Sequence, residues 1–270
     1  MGSKVNNPYS KDYFCPSIEG MKRILVYIWR VWFYITILIA IVLLFPFILI
    51  TSQRASHYPS FFRLSRVWAW IVLVLSGFWP KVYWAERPEK GKLYIICPNH
   101  TSMIDIMLTL AIFPNCFLFI GKRELAKLPL FGYFYRKTNI LVDRSSIMSS
   151  RRAFETAASK LQEGIGLCIF PEGGVPEESV QLARFKNGAF RLAVEHGVTI
   201  IPVSYPNNKA HLPYDYNRGY PGIIRAYVHP FLEPRDGGQE EINRLRSLCY
   251  DVVLSGLRYQ SEEKLINEPG

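Results

Sequence analysis

The chain reads as an α/β protein: a mainly parallel sheet flanked by helices, preceded by an N-terminal membrane-associated helical hairpin. Three observations predict this. From about residue 92 onward, short apolar runs of strand length alternate with amphipathic stretches of helical length. That alternation implies a parallel sheet covered on both faces. Residues 31–53 form an uncharged run of 23 residues. Such a run is about 35 Å long as a helix, enough to cross a hydrocarbon core of roughly 30 Å. Finally, residues 20–85 contain no Asp or Glu but hold seven Lys and Arg and all six tryptophans. Basic, Trp-rich flanks are what anionic headgroups and the membrane interface attract.

In chain order, residues 1–21 are polar, contain Pro and Gly, and are expected to be flexible. Residues 22–84 make the membrane-associated hairpin. Its first arm holds Pro46, which membrane helices tolerate better than soluble ones. Its second arm, the apolar run 67–80, has only 14 residues and suits a re-entrant or interfacial helix. Bases flank both ends of the first arm, as expected of a hairpin that dips into one leaflet. Residues 85–270 then form the α/β domain. Strands are expected at 93–97, 116–120, 140–142, 167–170, 199–205 and 223–228. Helices are expected at 103–112, 149–163, 187–195 and 240–259. In the second of these, Ala153, Phe154, Ala157, Ala158 and Leu161 share one stripe, and Gly164 ends it.

Composition narrows the function. The chain has 270 residues and a formal charge of +10, from 32 Lys and Arg against 22 Asp and Glu. Of the anionic partners such an excess suits, lipid headgroups and phosphorylated substrates are expected here and nucleic acid is not. Five scattered cysteines, odd in number and without a Cys-x-x-Cys pair, exclude a disulfide framework or zinc site as the organising element. No metal and no cofactor are expected.

The chemistry concentrates in Asn99-His100-Thr101-Ser102-Met103-Ile104-Asp105. His100 stands where the strand ending at Pro98 hands over to a helix. On a straight helix, residues five apart differ by about 140° and do not face each other. His100 and Asp105 meet only if His100 lies in the loop and Asp105 in the first turn. The carboxylate then fixes the imidazole tautomer and leaves the other ring nitrogen to accept a proton. No Gly-x-Ser-x-Gly nucleophile accompanies the pair, so a base acting directly on a substrate hydroxyl is indicated. The same seven residues also read as an ordinary helix start with a chance His and a solvated Asp. Lys122, Arg123 and Arg144 are cations near strand ends, suited to holding phosphate, or else a solvated face. Glu172 ends an apolar strand beside Gly173 and Gly174, which let a ligand approach the backbone. Its plain alternative is a pair with Lys186.

These stretches, in this order, resemble the motifs of the glycerophospholipid acyltransferases, in particular the 1-acyl-glycerol-3-phosphate acyltransferases. The first is the His-(four residues)-Asp box. Gly121-Lys122-Arg123-Glu124-Leu125 is similar to the second, Phe170-Pro171-Glu172-Gly173 to the third and Ile201-Pro202-Val203 to the fourth. Val142-Asp143-Arg144 and the run from Phe185 through Lys186 to Phe190 also match. The resemblance covers roughly residues 92–204. It implies catalysis by His100 and Asp105, with backbone N–H groups at the helix start stabilising the oxyanion. It also implies substrate binding at Asn99, Lys122, Arg123, Arg144, Glu172, Gly173 and Lys186. The implied donor is an acyl thioester, acyl-CoA or acyl carrier protein. The implied acceptor is a lysophospholipid in the membrane, met by an active site that faces the cytoplasm. One departure stands out: Gly174-Val175 occupy the place of the family's Thr-Arg, which removes a phosphate contact that Arg184 or Lys186 would have to replace. The remaining readings are another lysolipid or glycerol-3-phosphate as acceptor, a hydrolase with Ser102 as nucleophile, and a non-catalytic lipid-binding module.

Overall fold

The computed structural model describes residues 16–143 and 145–267. Most of the segment expected to be flexible, residues 1–15, lies outside the described residues, as does Arg144. The first helix, α1 (Pro16–Thr51), already includes residues 16–21. It runs 36 residues, about 54 Å at 1.5 Å per residue. Phe33, Ala40, Ile41 and Ile48 recur at helical spacing and are buried, whereas Leu38, Val42, Leu43 and Ile50 face outward. The helix thus has two apolar faces, one packed on protein and one uncovered.

The second helix, α2 (Tyr58–Leu75), opens with Pro59 in its first turn, where the missing N–H costs nothing. It buries Phe61, Phe62, Trp68, Val72 and Leu73, and packs between α1 and α3 (Ile104–Ile112). The Arg66 guanidinium donates to the carbonyls of Leu110 and Ala111, and the Trp70 indole N–H also donates to Ala111. These bonds satisfy carbonyls that the C-terminus of α3 leaves open. The second arm of the hairpin is therefore a core helix of the domain as well as a flank of α1.

The run 67–80 does not continue as a helix. After Gly77, at φ 78°, the chain becomes a strand, β1 (Phe78–Trp84). The expected boundary at 85 therefore moves back to 78. Phe78, Pro80 and Val82 alternate with Trp79, Lys81 and Tyr83, a period of two obscured because nearly every residue is apolar. Phe78 is fully buried, with its ring edge-on to Trp29 and Phe33 of α1.

The other strands are β2 (Tyr94–Pro98), β3 (Phe117–Lys122), β4 (Asn139–Val142), β5 (Gly166–Cys168), β6 (Thr199–Ser204) and β7 (Gly222–Val228). The sheet order is β1-β7-β6-β2-β5-β3-β4. Strands β4, β3, β5, β2 and β6 are mutually parallel, β7 is antiparallel to β6, and β1 is parallel to β7. The helices not yet named are α4 (Phe131–Thr138), α5 (Ile147–Gln162), α6 (Gly188–His196), α7 (Asn208–His211) and α8 (Gly238–Asn267). One face of the sheet carries α1 to α4 and the other α5, α6 and α8, each over its own apolar core. In such a sheet, ligands bind beyond the carboxyl ends of the strands. Here β2, β3 and β5 deliver His100, Lys122 and the Phe170–Val175 turn to one end of the molecule.

Candidate active site

Pro98 closes β2, and the chain crosses to α3 through residues 99–103. Asp105 sits in the first turn of α3 and is fully buried. Its Oδ2 accepts the backbone N–H groups of Thr101 at 2.7 Å and Ser102 at 2.8 Å, and stands 3.0 Å from His100 Nδ1. Its Oδ1 accepts the Asn208 side-chain amide at 2.7 Å. The carboxylate therefore folds the loop back on itself, which is why two residues five apart face each other. With Asp105 accepting on every side, His100 Nδ1 carries the ring hydrogen and Nε2 is left as an acceptor. The imidazole stacks on Phe170, centroids 4.0 Å apart, and Phe170 stacks on Phe119. His100 remains 12% exposed at its side chain.

Glu172 makes two backbone contacts that its place in the sequence did not indicate. It is buried. One oxygen accepts the His100 N–H at 2.7 Å and the other the Ala183 N–H at 2.8 Å. Burial pushes its carboxyl up from the usual range, while these two N–H groups and His100 pull it down. Glu172 thus pins the His100 loop to the segment after β5. Asn99 is likewise fully buried: its amide donates to the Tyr205 carbonyl at 3.3 Å and accepts the Tyr205 N–H at 2.7 Å. Both amide groups are engaged with backbone, so Asn99 ties the loop to the end of β6. Gly173 adopts φ 79°, and a side chain there would meet Lys186, whose Nζ would lie 2.6 Å from its Cβ. Lys186 therefore lies across this turn.

The Thr101 and Ser102 N–H groups bond Asp105, and the His100 N–H bonds Glu172. The N–H groups of residues 100–102 are thus taken by these two carboxylates. The Thr101 hydroxyl, by contrast, is buried and has no partner among the described residues.

His100 lines a cavity of about 570 Å³. Met103, Ile106, Phe119, Leu125 and Phe170 make it apolar, while Lys122 and Lys209 bring cations to its wall. Gly174 and Val175 line the same cavity. Arg123 lines a second cavity. Of the residues singled out in the sequence, the structure therefore gathers His100, Asp105, Glu172 and Lys122 at one site. Lys209, Asn208, Thr101 and Phe170 were missed. The first two follow Pro206 beyond the end of β6, the position at which a parallel sheet presents ligand-binding groups.

Residues 80–206 match the family model described as Acyltransferase. The chain is 28% identical to the 1-acyl-sn-glycerol-3-phosphate acyltransferase of Escherichia coli (strain K12) over 175 residues, 62% of this chain and 69% of that protein. It is 27% identical to the protein of the same name from Borreliella burgdorferi over 199 residues, 73% and 78% of the two chains. The crystal structure of the 1-acyl-sn-glycerophosphate (LPA) acyltransferase PlsC from Thermotoga maritima superposes with a TM-score of 0.74, covering 93% of this chain and 99% of that one. At 24% identity that likeness speaks for the fold. The matched span begins within β1, ends beyond β6 and holds every motif stretch in order, and on these matches the chain is an acyltransferase similar to the 1-acyl-sn-glycerol-3-phosphate acyltransferases.

Proposed function

We propose that this enzyme moves a fatty acyl group from a thioester donor, acyl-CoA or acyl carrier protein, to the free hydroxyl of 1-acylglycerol-3-phosphate, giving phosphatidate. The observation that carries the reading is the His100–Asp105 pair at a largely apolar cavity that Lys122 and Lys209 also line, together with Glu178 and Asp215. His100 Nε2 takes the proton of the acceptor hydroxyl as its oxygen attacks the thioester carbonyl. Asp105 holds the tautomer and stabilises the imidazolium. The Thr101 hydroxyl is the donor for the oxyanion. The C–S bond then breaks, and the imidazolium returns its proton to the departing thiolate. Lys122 and Lys209 serve the acceptor phosphate, Lys209 in place of the arginine absent at Val175.

The acceptor lives in a bilayer and the donor in water, so the site has to work at the membrane surface. Residues 20–51 of α1 are long and apolar enough to cross a membrane, with a mean hydropathy of 2.9 in their most apolar window. Because α1 and α2 both pack along the domain, we read them as a face seated in one leaflet, with the site open to the cytoplasm. Val175 favours one second reading, a lysolipid acceptor other than the phosphate-bearing one. Incubating the protein with an acyl-CoA and a panel of lysolipids decides. Preferred conversion of 1-acylglycerol-3-phosphate to phosphatidate is expected, and release of free fatty acid alone contradicts acyl transfer.

A further inference from the structure

A larger cavity than the one that holds His100 adjoins it. It is a groove of about 1180 Å³ along the open edge of β4, between the turn that joins α1 to α2 and the face of α5. Among the described residues, six cations line it: Arg54, Arg123, Arg136, Lys137, Arg152 and Lys160. Its acids are Asp143 and Glu163. Glu163 is held by Lys160 at 2.6 Å, and Asp143 accepts the N–H and hydroxyl of Ser145. Arg136 and Lys137 brace the walls, donating to the carbonyls of Ala126 and Ser52. Arg54, Arg123 and Arg152 are exposed. The first turn of the 16-residue helix α5 opens into the groove through Met148 and Ser149, adding the positive end of a helix dipole.

We propose that this groove binds the phosphorylated nucleotide end of a coenzyme A donor. The assignment rests on the thioester reading above and deepens it. The His100 cavity, about 570 Å³ and largely apolar, has to take an acyl chain and the acceptor together. The nucleotide end of a coenzyme A thioester, with its three phosphates, needs separate and cationic room. The two cavities adjoin: Asn139 lines both, and the consecutive residues Lys122 and Arg123 line one each. A donor lying across Asn139 keeps its phosphates in the groove while its thioester reaches His100. A concave groove with serine, threonine and glutamine between its cations suits a nucleotide better than the surface of an acidic carrier protein.

The test uses the full-length protein in phospholipid vesicles and the double variant Arg54→Ser, Arg152→Ser, both positions exposed. KM is measured for palmitoyl-CoA, for palmitoyl-pantetheine, which lacks the nucleotide, for palmitoyl-acyl carrier protein, and for lysophosphatidate. The KM for palmitoyl-CoA is expected to rise at least about tenfold, the loss of charge-assisted contacts to phosphate, while the KM for palmitoyl-pantetheine stays. Free coenzyme A titrated calorimetrically into wild type should bind, more weakly as salt rises, and binding should be lost in the variant. An unchanged KM for palmitoyl-CoA overturns the assignment. So does a rise confined to the carrier-protein donor, or to lysophosphatidate, which would make the groove a carrier or lipid-phosphate site. Wild type that binds coenzyme A, with binding lost in the variant, but transfers no acyl group refutes the enzymatic reading and leaves the groove assigned. Wild type that transfers acyl groups but binds no coenzyme A does the reverse.

Discussion

Asp105 and Glu172 divide the control of one loop. Asp105 fixes where the His100 ring points, and Glu172 fixes where the His100 backbone sits. Glu172 was not separable from substrate binding in the sequence, because a carboxylate that bonds backbone and one that bonds a ligand look alike there. The His100–Asp105 spacing was legible because only a loop-and-first-turn geometry lets residues five apart meet. Asn208, which reaches Asp105 across 103 positions, gave no local signal. Glu172→Gln keeps one acceptor and turns the other into a donor facing an N–H. It should cost roughly 1–3 kcal/mol of stability and lower kcat, with the KM for acceptor little changed. A selective rise in that KM would instead make Glu172 a substrate contact. Thr101→Val keeps the side-chain shape and removes the buried hydroxyl. If that hydroxyl holds the oxyanion, kcat should fall by about 10²–10³ with both KM values kept. An unchanged kcat removes Thr101 from the chemistry.

At the scale of elements, β2, β3, β5 and β6 were legible because parallel strands buried on both faces read as short apolar runs, and β4 and β7, buried at alternate residues, were legible as apolar runs of strand length. β1 was not, because its alternation is written in Phe, Trp, Val and Tyr, and the preceding helix α2 is equally apolar. α4 was missed for the opposite reason: eight residues, with Gly132 near its start, carry too little periodicity. The contact between β6 and α8 offers a test of the packing. Ser204 stands 2.7 Å from His229 Nε2 and donates to the Val253 carbonyl, with Gly256 close against both. Burial lowers the His229 pKa from 6.5 to about 4. The unfolded chain therefore takes up a proton near pH 6.5 and the folded one only near 4. This contribution to stability is complete above pH 6.5 and is lost as pH falls toward 4. Melting temperature should drop across that window, and more shallowly in His229→Gln. Equal slopes would show that His229 titrates alike in both states.

For the molecule as a whole, the apolar content has two destinations. One face of α1 joins the domain core through Phe33, Ala40, Ile41 and Ile48, and the other stays uncovered along its length. Hydropathy reveals the run but does not divide it into faces, since the protein-facing and outward residues are the same types. α2 belongs to the core, so removing the entire N-terminal region would strip the sheet rather than release an anchor. The sharper perturbation is Leu38→Lys with Val42→Lys, on the uncovered face. Full-length protein should stay with vesicles in high salt, because salt screens charge and not buried apolar area. The double variant should leave them while its α/β domain still melts cooperatively. Release of the unaltered protein by salt alone would mean that α1 is not inserted.

The central claim is that His100, oriented by Asp105, removes the proton from the acceptor hydroxyl. Acyl transfer from acyl-CoA to 1-acylglycerol-3-phosphate by His100→Ala, in a sample shown to be folded and vesicle-bound, tests it most directly. Turnover should fall by about 10²–10⁴-fold, the usual worth of a general base, with lysolipid binding retained. Turnover near that of the unaltered enzyme would contradict the mechanism.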